Sequence, residues 1–169
     1  MQAPFTSSLL SPDHIAMVEK GVSTIVSACD VHLRPSVMRA LGSGITSDGA
    51  LITVYLSRRQ SRQLLLDVAA TGRIAVVFSE PSSHRTLQVK ASRADVRSAQ
   101  ASDEPLLRRY LAAMEHEIAL VGFEARFTRA MLSLSLDDLV AISFTPEAAF
   151  DQTPGPKAGS ALTAAGLAP

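Results

Sequence analysis

The chain has 169 residues, with 16 basic and 16 acidic side chains, so its net charge is zero when histidine is neutral. This length suits one domain with a substantial core, and the charge balance gives no global reason to expect binding to nucleic acid or an anionic membrane. The single cysteine, Cys29, excludes an intramolecular disulfide and a cysteine-rich zinc site. The amino-terminal residues lack a signal-peptide pattern and no run reaches about 20 apolar residues. We therefore expect a cytoplasmic protein.

The first half of the chain is predicted to consist of strands separated by turns and interrupted by two short helices. Cys29 lies in an apolar strand, where we expect it to be a small buried hydrophobic residue. A hairpin over residues 35–56 follows from the turn signal Ser47-Asp48-Gly49. In chain order, the predicted elements are a helix at 12–20, a strand at 21–29, a strand at 35–41 that Gly42-Ser43-Gly44 ends, a strand at 50–56, a helix at 61–70 with Gly72 as its stop, and a strand at 73–79.

The second half of the chain contains one long strand and one long helix. Residues 86–97 alternate between apolar and polar, but the parity slips part-way, which is typical of a β-bulge at a barrel corner. An apolar stripe predicts a helix over residues 102–121, and residues 138–144 are the last predicted strand. We assign residues 1–150 to one domain. Residues 151–169, rich in Pro, Gly and Ala, are predicted to form a loosely docked tail.

These elements predict a mainly β protein with added helices. Strands do not alternate regularly with helices, so a doubly wound parallel sheet is disfavoured. The expected architecture is a small barrel of six or so antiparallel strands with Greek-key-like connections and a helix between the later strands.

The densest polar feature is Ser57-Arg58-Arg59-Gln60-Ser61-Arg62, which lies between a predicted strand and a predicted helix. Guanidinium groups match phosphate oxygens, and the free N–H groups at a helix N-terminus add to such an anion site. Taken alone, the same residues also fit a solvated basic loop. A later strand presents Gln88 and Lys90 on its polar face.

The ordered series of motifs resembles the pyridoxamine 5'-phosphate oxidase-related FMN-binding split-barrel family. The motifs are residues 34–41, residues 51–62, Arg-Ile-Ala-Val-Val-Phe at 73–78 and Leu-Gln-Val-Lys at 87–90. The resemblance covers residues 22–97. It implies a split barrel that forms a homodimer, with FMN bound in clefts between the two chains.

The resemblance also implies which positions contact FMN. They are Val37, Met38 and Arg39 along the flavin, Tyr55, Leu56 and Ser57 at its ring or ribityl side, Arg58, Ser61 and Arg62 at the phosphate, and Gln88 and Lys90 at the ring. The match through residues 58–63 needs a small insertion. Which of Arg58, Arg59 and Arg62 holds the phosphate therefore stays open.

The chain departs from the family after its last predicted strand. It has no Arg-x-His pattern there, and residues 150–156 (Phe-Asp-Gln-Thr-Pro-Gly-Pro) occupy that region. We therefore do not expect activity on pyridoxamine phosphate. The four histidines show no metal-ligand spacing, so no metal site is predicted. His84, in the loop before the Gln88 strand, is the one histidine expected near the cleft.

The leading functional hypothesis is an FMN-dependent oxidoreductase that acts on an unidentified small molecule, with the protein orienting and tuning the cofactor. No residue is nominated as a separate catalytic acid or base. The alternatives are a flavin carrier or redox sensor without turnover, and a split barrel that binds haem or a deazaflavin. Binding of single-stranded nucleic acid ranks last, because few aromatic side chains are available for stacking.

Overall fold

The structure is a computed structural model and describes residues 9–163 of the chain. This part of the chain contains ten strands and four helices. The helices are α1 (Pro12–Lys20), α2 (Arg62–Thr71), α3 (Glu104–Leu120) and α4 (Ala125–Met131). The strands are β1 (Ser23–Cys29), β2 (Pro35–Arg39), β3 (Gly42–Ile45), β4 (Ile52–Ser57), β5 (Ile74–Ser79), β6 (Thr86–Ala91), β7 (Ala94–Ser98), β8 (Leu139–Phe144), β9 (Ala148–Asp151) and β10 (Ser160–Ala161). Short 3₁₀ turns lie at Ala101–Asp103 and Leu136–Asp138.

The strands form two antiparallel sheets that share bent chain segments. The six-stranded sheet has the order β10-β9-β6-β5-β1-β2, and the four-stranded sheet has the order β3-β4-β8-β7. The segments β2–β3, β6–β7 and β8–β9 each pass from one sheet to the other. Because bent segments are divided in two, more strands are present than the six or so predicted. The prediction of a mainly β, antiparallel barrel is confirmed.

The parity slip predicted within residues 86–97 coincides with a change of sheet. The β6 strand ends at Ala91 and β7 begins at Ala94. Here α2 ends against the bend, with Gly72 in the left-handed region at φ +69°. A Cβ at Gly72 would lie 2.6 Å from the Ser92 carbonyl oxygen, so the close approach requires glycine. The sequence pattern therefore located this corner correctly.

Residues 42–44, which we read as the end of a strand, are instead part of β3. A Cβ at Gly42 would lie 2.6 Å from Leu107 Cδ2, and one at Gly44 would lie 2.5 Å from Leu106 Cδ1. These glycines let α3 pack closely against β3, which is a recognised use of glycine within a strand. The predicted hairpin is correspondingly shorter, because β4 pairs with β3 while β2 pairs with β1.

Two apolar clusters hold the fold together. The larger fills the barrel between the sheets, with Val26, Val76 and Ile142 from the strands and Leu64 and Val68 from α2. The smaller lies between the four-stranded sheet and the later helices. Its buried members are Leu41, Tyr55, Leu107, Tyr110, Met114, Leu132, Leu139 and Ala141. Strands β3, β4 and β8 of the four-stranded sheet are therefore covered on both faces, whereas β7 at its edge is largely exposed.

The chain continues into the six-stranded sheet after the last predicted strand. Strand β9 pairs with β6, with Phe150 opposite Gln88. The short β10 then pairs with β9, with Ser160 opposite Asp151. Neither β9 nor β10 was predicted from the sequence, because both strands are short. Part of the predicted tail thus pairs with the sheet, and its last six residues, 164–169, lie outside the described residues.

Candidate functional site

The turn between β4 and α2 carries the arginine cluster, and neighbouring strands fix its position. Ser57 ends β4 opposite Leu139 of β8, and the backbone N–H of Arg58 donates to the Asp138 carbonyl at 2.6 Å. The N–H of Ser61 donates to the Ser57 carbonyl at 3.0 Å, which leads the chain into α2. We call residues 57–62 the β4–α2 turn.

The three arginines of the β4–α2 turn have different partners. Arg59 pairs with Asp138, with 3.2 Å between Nε and Oδ1. Arg58 Nη2 donates to Ser98 Oγ at 2.9 Å, a neutral partner that leaves its charge uncompensated. Arg62 is exposed and has no hydrogen bond or ion pair to another side chain among residues 9–163. Two of the three guanidinium charges are therefore available to an anion.

Asp138 is enclosed by donors from the same turn. Its Oδ2 accepts from Ser57 Oγ at 2.5 Å, and its Oδ1 accepts from the Arg59 N–H at 3.1 Å. Ser57 Oγ in turn accepts from the Gln60 N–H at 3.2 Å. The Ser57 hydrogen bond is the main cause that lowers the pKa of the Asp138 carboxyl. The predicted ligand contact Ser57 is thus already hydrogen-bonded within the chain.

The first turn of α2 has the features of an anion site. The helix has no acidic residue in this turn, and its N-cap residue, Ser61, makes no side-chain capping bond. Ser61 Oγ is buried and has no hydrogen-bond partner in the described part of the chain. Helix N-termini present free N–H groups and a partial positive charge. Arg62 at the first helical position adds a full positive charge.

Tyr55 and Leu56 lie in the two cores. Leu56 has no exposed surface and belongs to the barrel cluster, while Tyr55 faces α3. The Tyr55 hydroxyl donates to Asp103 Oδ1 at 2.9 Å. These placements are explained by the alternation of side chains along β4. Direct contact of either side chain with a ligand stays a prediction, and in the described chain both have packing roles.

Asp103 joins Tyr55 to Arg97 in a partly buried network. Arg97 Nη1 donates to Asp103 Oδ2 at 2.7 Å and Nη2 donates to Oδ1 at 2.8 Å. The Arg97 guanidinium lowers the pKa of Asp103 to about 2. Burial, followed by the Asp103 hydrogen bond, raises the pKa of Tyr55 to about 12. Sequence reasoning missed this network, since its members are separated by up to 48 positions.

The remaining predicted residues lie on the six-stranded sheet, most of them on the face turned away from the barrel. The alternation and register of β1, β2, β5, β6 and β9 place Val37, Arg39, Gln88 and Lys90 on this outer face. Met38 instead points toward the barrel and packs against its core. The other residues of this outer face include Ile25, Ser27, Cys29, Ala75, Val77, Ala148 and Phe150.

Polar side chains on the outer face are held by few contacts. Arg39 Nη1 donates to Ser23 Oγ at 2.9 Å, and Gln152 Nε2 donates to Gln88 Oε1 at 3.3 Å. Lys90 Nζ lies 4.9 Å from the centroid of the Phe150 ring. Phe150 and Gln152 were not predicted as site residues, because β9 itself was not predicted.

One end of the outer face forms a groove of about 470 Å³. Its walls include Arg73, Lys90 and Glu147, and Cys29 also lines it. Cys29 is half-buried rather than part of the core, so our expectation for this residue was wrong. Alternation along β1 accounts for this, because Ala28 faces the barrel and Cys29 faces outward.

Comparison with known proteins gives matches in structure but not in sequence. No model of a known protein family matches the chain, and no curated protein matches it. An F420 reductase is similar with a TM-score of 0.57, 16% identity and coverage of 83% of this chain and 98% of that chain. A candidate pyridoxamine 5'-phosphate oxidase from Lactobacillus delbrueckii has a TM-score of 0.55, and HupZ from Group A Streptococcus has one of 0.53. Each of these two is 13% identical, with coverage of 89% of this chain and 99% of the other.

This chain has the pyridoxamine 5'-phosphate oxidase-like split-barrel fold. The identities are too low to carry over an activity, so the likeness establishes the fold alone. The fold predicted from the sequence is thereby confirmed.

Within this split barrel, the predicted site residues form two separate sets. The β4–α2 turn lies beside the four-stranded sheet, whereas Val37, Arg39, Gln88 and Lys90 lie on the outer face of the six-stranded sheet. No hydrogen bond or ion pair among residues 9–163 joins the two sets. The groove on the outer face has no lining residue from the β4–α2 turn.

Among residues 9–163, no group of three or more His, Cys, Asp or Glu side chains is placed to hold a metal ion. No helix in this part of the chain has both the length and the hydropathy needed to cross a membrane. His84 is exposed, with a left-handed backbone at φ +61°. Its role stays a prediction.

Proposed function

We propose that this split barrel binds FMN and uses it as an oxidoreductase cofactor for a small molecule. The observation that carries the proposal is the start of α2. There, the buried Ser61 hydroxyl lies between Arg58 and Arg62 in the sequence, and among residues 9–163 the hydroxyl has no hydrogen-bond partner and neither guanidinium pairs with a carboxylate. Such a combination of N–H groups, hydroxyl and guanidinium donors suits a phosphate monoester.

Arg58 and Arg62 are the arginines that we assign to the phosphate. Arg59 is a poorer candidate, because its guanidinium is already paired with Asp138. The neutral contact between Arg58 and Ser98 can be retained or exchanged without leaving a carboxylate unpaired. Ser61 Oγ would supply a further donor once a phosphate oxygen accepts from it.

A second copy of the chain is part of the proposal, because the flavin ring needs a surface that the β4–α2 turn lacks. The outer face offers apolar residues beside Gln88 and Lys90, and Val37 is 60% exposed. Exposed apolar surfaces of this kind are typical of interaction sites. Pairing of two chains through their outer faces would bring Val37, Arg39, Gln88 and Lys90, which we call the ring-binding set, to the cleft.

FMN would supply the electron or hydride transfer when bound. The residues of the chain would bind its phosphate at Arg58, Ser61 and Arg62 and donate hydrogen bonds to the ring from Gln88 and Lys90. We assign no catalytic acid or base. The substrate is a small molecule of unidentified class, and the cytoplasmic location stays a prediction.

Three alternatives keep the same cleft but change the ligand or the outcome. The similarity to an F420 reductase favours a deazaflavin as the second candidate. A flavin carrier or redox sensor would bind FMN without turnover. A haem-binding split barrel would show a Soret band instead of flavin absorbance.

The proposal is tested by removing Arg62. We expect Arg62→Ala to weaken FMN binding by tenfold or more, since a charge-assisted hydrogen bond contributes about 1.5–3 kcal/mol. The matched control is Arg93→Ala. Arg93 is also exposed, but it lies by the opposite end of α2, beside Gly72. The helix has 10 residues, so the two sites are about 15 Å apart along its axis. Flavin fluorescence measures both affinities.

Equal FMN affinities for the two variants would contradict the assignment of Arg62. A protein that neither binds FMN nor gains thermal stability from it would overturn the proposal itself. Steady oxidation of a reduced nicotinamide cofactor by the FMN-loaded protein would separate an enzyme from a carrier.

A further inference from the structure

A carboxylate from another part of the chain is hydrogen-bonded to the β4–α2 turn. Asp138, in the 3₁₀ turn just before β8, accepts from the Ser57 hydroxyl, from the Arg59 N–H and from the Arg59 guanidinium. A hydroxyl, a backbone N–H and a guanidinium are the kinds of donor that also bind phosphate. The carboxylate therefore takes up donors that a ligand phosphate would otherwise use.

Asp138 is held in its charged form at neutral pH. The Ser57 hydrogen bond lowers the pKa of its carboxyl, and the Arg59 backbone hydrogen bond acts in the same direction. Its side chain is 16% exposed, so water screens it only in part. The three guanidinium groups of the β4–α2 turn thus have one carboxylate beside them, that of Asp138 in the 3₁₀ turn before β8.

We propose that Asp138 acts as a built-in competitor of the ligand phosphate and lowers the affinity of the β4–α2 turn for FMN. The inference rests on the proposed function and concerns the strength with which the phosphate is held. A carboxylate close to a phosphate repels it, and between groups near a protein surface this repulsion is modest rather than prohibitive. The consequence is a flavin that is bound specifically yet exchanges readily.

A purely structural role for Asp138 makes a different prediction. If the carboxylate only fixes the shape of the turn, its replacement should weaken every ligand of the cleft alike. If its charge opposes the phosphate, replacement should favour FMN and leave riboflavin, which lacks the phosphate, unchanged. The ratio of the two affinities separates the two roles.

The experiment compares Asp138→Asn with Asp137→Asn in the full-length chain. Asparagine keeps the shape of the side chain and removes the charge. Its one oxygen can accept from the Arg59 N–H while its amide nitrogen donates to Ser57 Oγ. Asp137 is exposed and has no hydrogen bond or ion pair to another side chain among residues 9–163, so its variant removes the same charge from the adjacent position. Dissociation constants for FMN and riboflavin are measured by flavin fluorescence, and Asp138→Ser provides a second neutral variant if Asp138→Asn does not fold.

We expect a neutral residue at position 138 to tighten FMN binding by about threefold to tenfold. Riboflavin binding should stay within about twofold, as should both ligands with Asp137→Asn. FMN binding that is unchanged or weaker, or equal shifts for FMN and riboflavin, would overturn the role of Asp138 while leaving flavin binding intact. If the unaltered chain binds neither flavin, the proposed function fails and this inference fails with it.

Discussion

The outer faces of the two sheets differ in what covers them. On the four-stranded sheet, α3 packs over Tyr55 and Leu139, and the Asp103 network fastens the helix to the sheet. On the six-stranded sheet, the outer face consists of half-buried or exposed side chains such as Ile25 and Val77. One face is completed within the chain. The other, in our proposal, is completed by a second chain and a ligand.

This difference suggests that the two faces have separate roles, which experiments can test. Changes beneath α3 should alter the stability of the folded chain and leave assembly alone. Changes on the uncovered face should alter assembly and ligand binding and leave stability nearly unchanged.

The largest expected effect is the loss of the dimer in Val77→Asp. Val77 lies in the central strand β5 on the uncovered face, and a charge there would be desolvated by a second chain at a cost of several kcal/mol. Val96→Asp is the control, because Val96 is 44% exposed on β7 of the other sheet. Light scattering after gel filtration should give a monomer mass for Val77→Asp and a dimer mass for Val96→Asp. Two dimers, or a monomeric unaltered chain, would contradict the proposed interface.

The second prediction concerns the covered face. Asp103→Ala should lower the free energy of unfolding by about 2–3 kcal/mol, because it leaves the Tyr55 hydroxyl buried without its partner and Arg97 without its ion pair. Arg97 is 44% exposed and can be hydrated, which limits the loss. The control is Asp95→Ala, because Asp95 lies on the same strand as Arg97 and its side chain, unlike that of Asp103, is exposed. Urea unfolding measures both variants, and equal stabilities would mean that the network contributes little.

The same carboxylate gives a pH dependence of smaller size. The pKa of Asp103 is about 2 in the folded chain, below its ordinary value of 3.8. Its stabilising contribution is therefore fully present above about pH 4 and is lost as the pH falls through about 2. The lost amount is about 2 kcal/mol, from 1.36 kcal/mol for each unit of pKa. Between pH 5 and pH 2, urea unfolding should show that the unaltered chain loses about 2 kcal/mol more of its free energy of unfolding than Asp103→Asn does. If the free energies of unfolding of the two proteins fall in parallel with pH, the prediction is wrong.

The smallest predicted effect belongs to Gln88. Replacement by alanine should weaken FMN binding by about fivefold, the equivalent of one neutral hydrogen bond of about 1 kcal/mol. Thr86→Ala, on the same face of β6, controls for a general disturbance of the strand. Fluorescence titration of both variants with FMN tests the prediction. Equal affinities would remove Gln88 from the ring-binding set.

Much of the fold was predictable because local signals specify it. The α2 helix, its stop at Gly72 and the change of sheet after Ala91 all follow from apolar periodicity and turn residues. The strand β3 was misread because Gly42 and Gly44 look like a turn until α3 is packed against them. The reason for these glycines lies in tertiary contacts, which periodicity does not reveal.

The candidate site was predictable as residues but not as an arrangement. Arg58, Ser61 and Arg62 were selected from composition and order, and the structure brings them to the start of α2. Arg59 differs from these residues because its guanidinium pairs with Asp138, which is 79 positions away in the sequence. The pairing of β4 with β8 brings Arg59 and Asp138 together, and no local pattern in the sequence predicts this contact.

The central claim is that the β4–α2 turn binds the phosphate of a flavin. Titration of the purified chain with FMN and with riboflavin tests this claim most directly. We predict saturable binding of one FMN per chain, with FMN bound more tightly than riboflavin because only FMN reaches Arg58 and Arg62 with a charge. Absence of FMN binding, or equal affinity for the two flavins, would contradict the account.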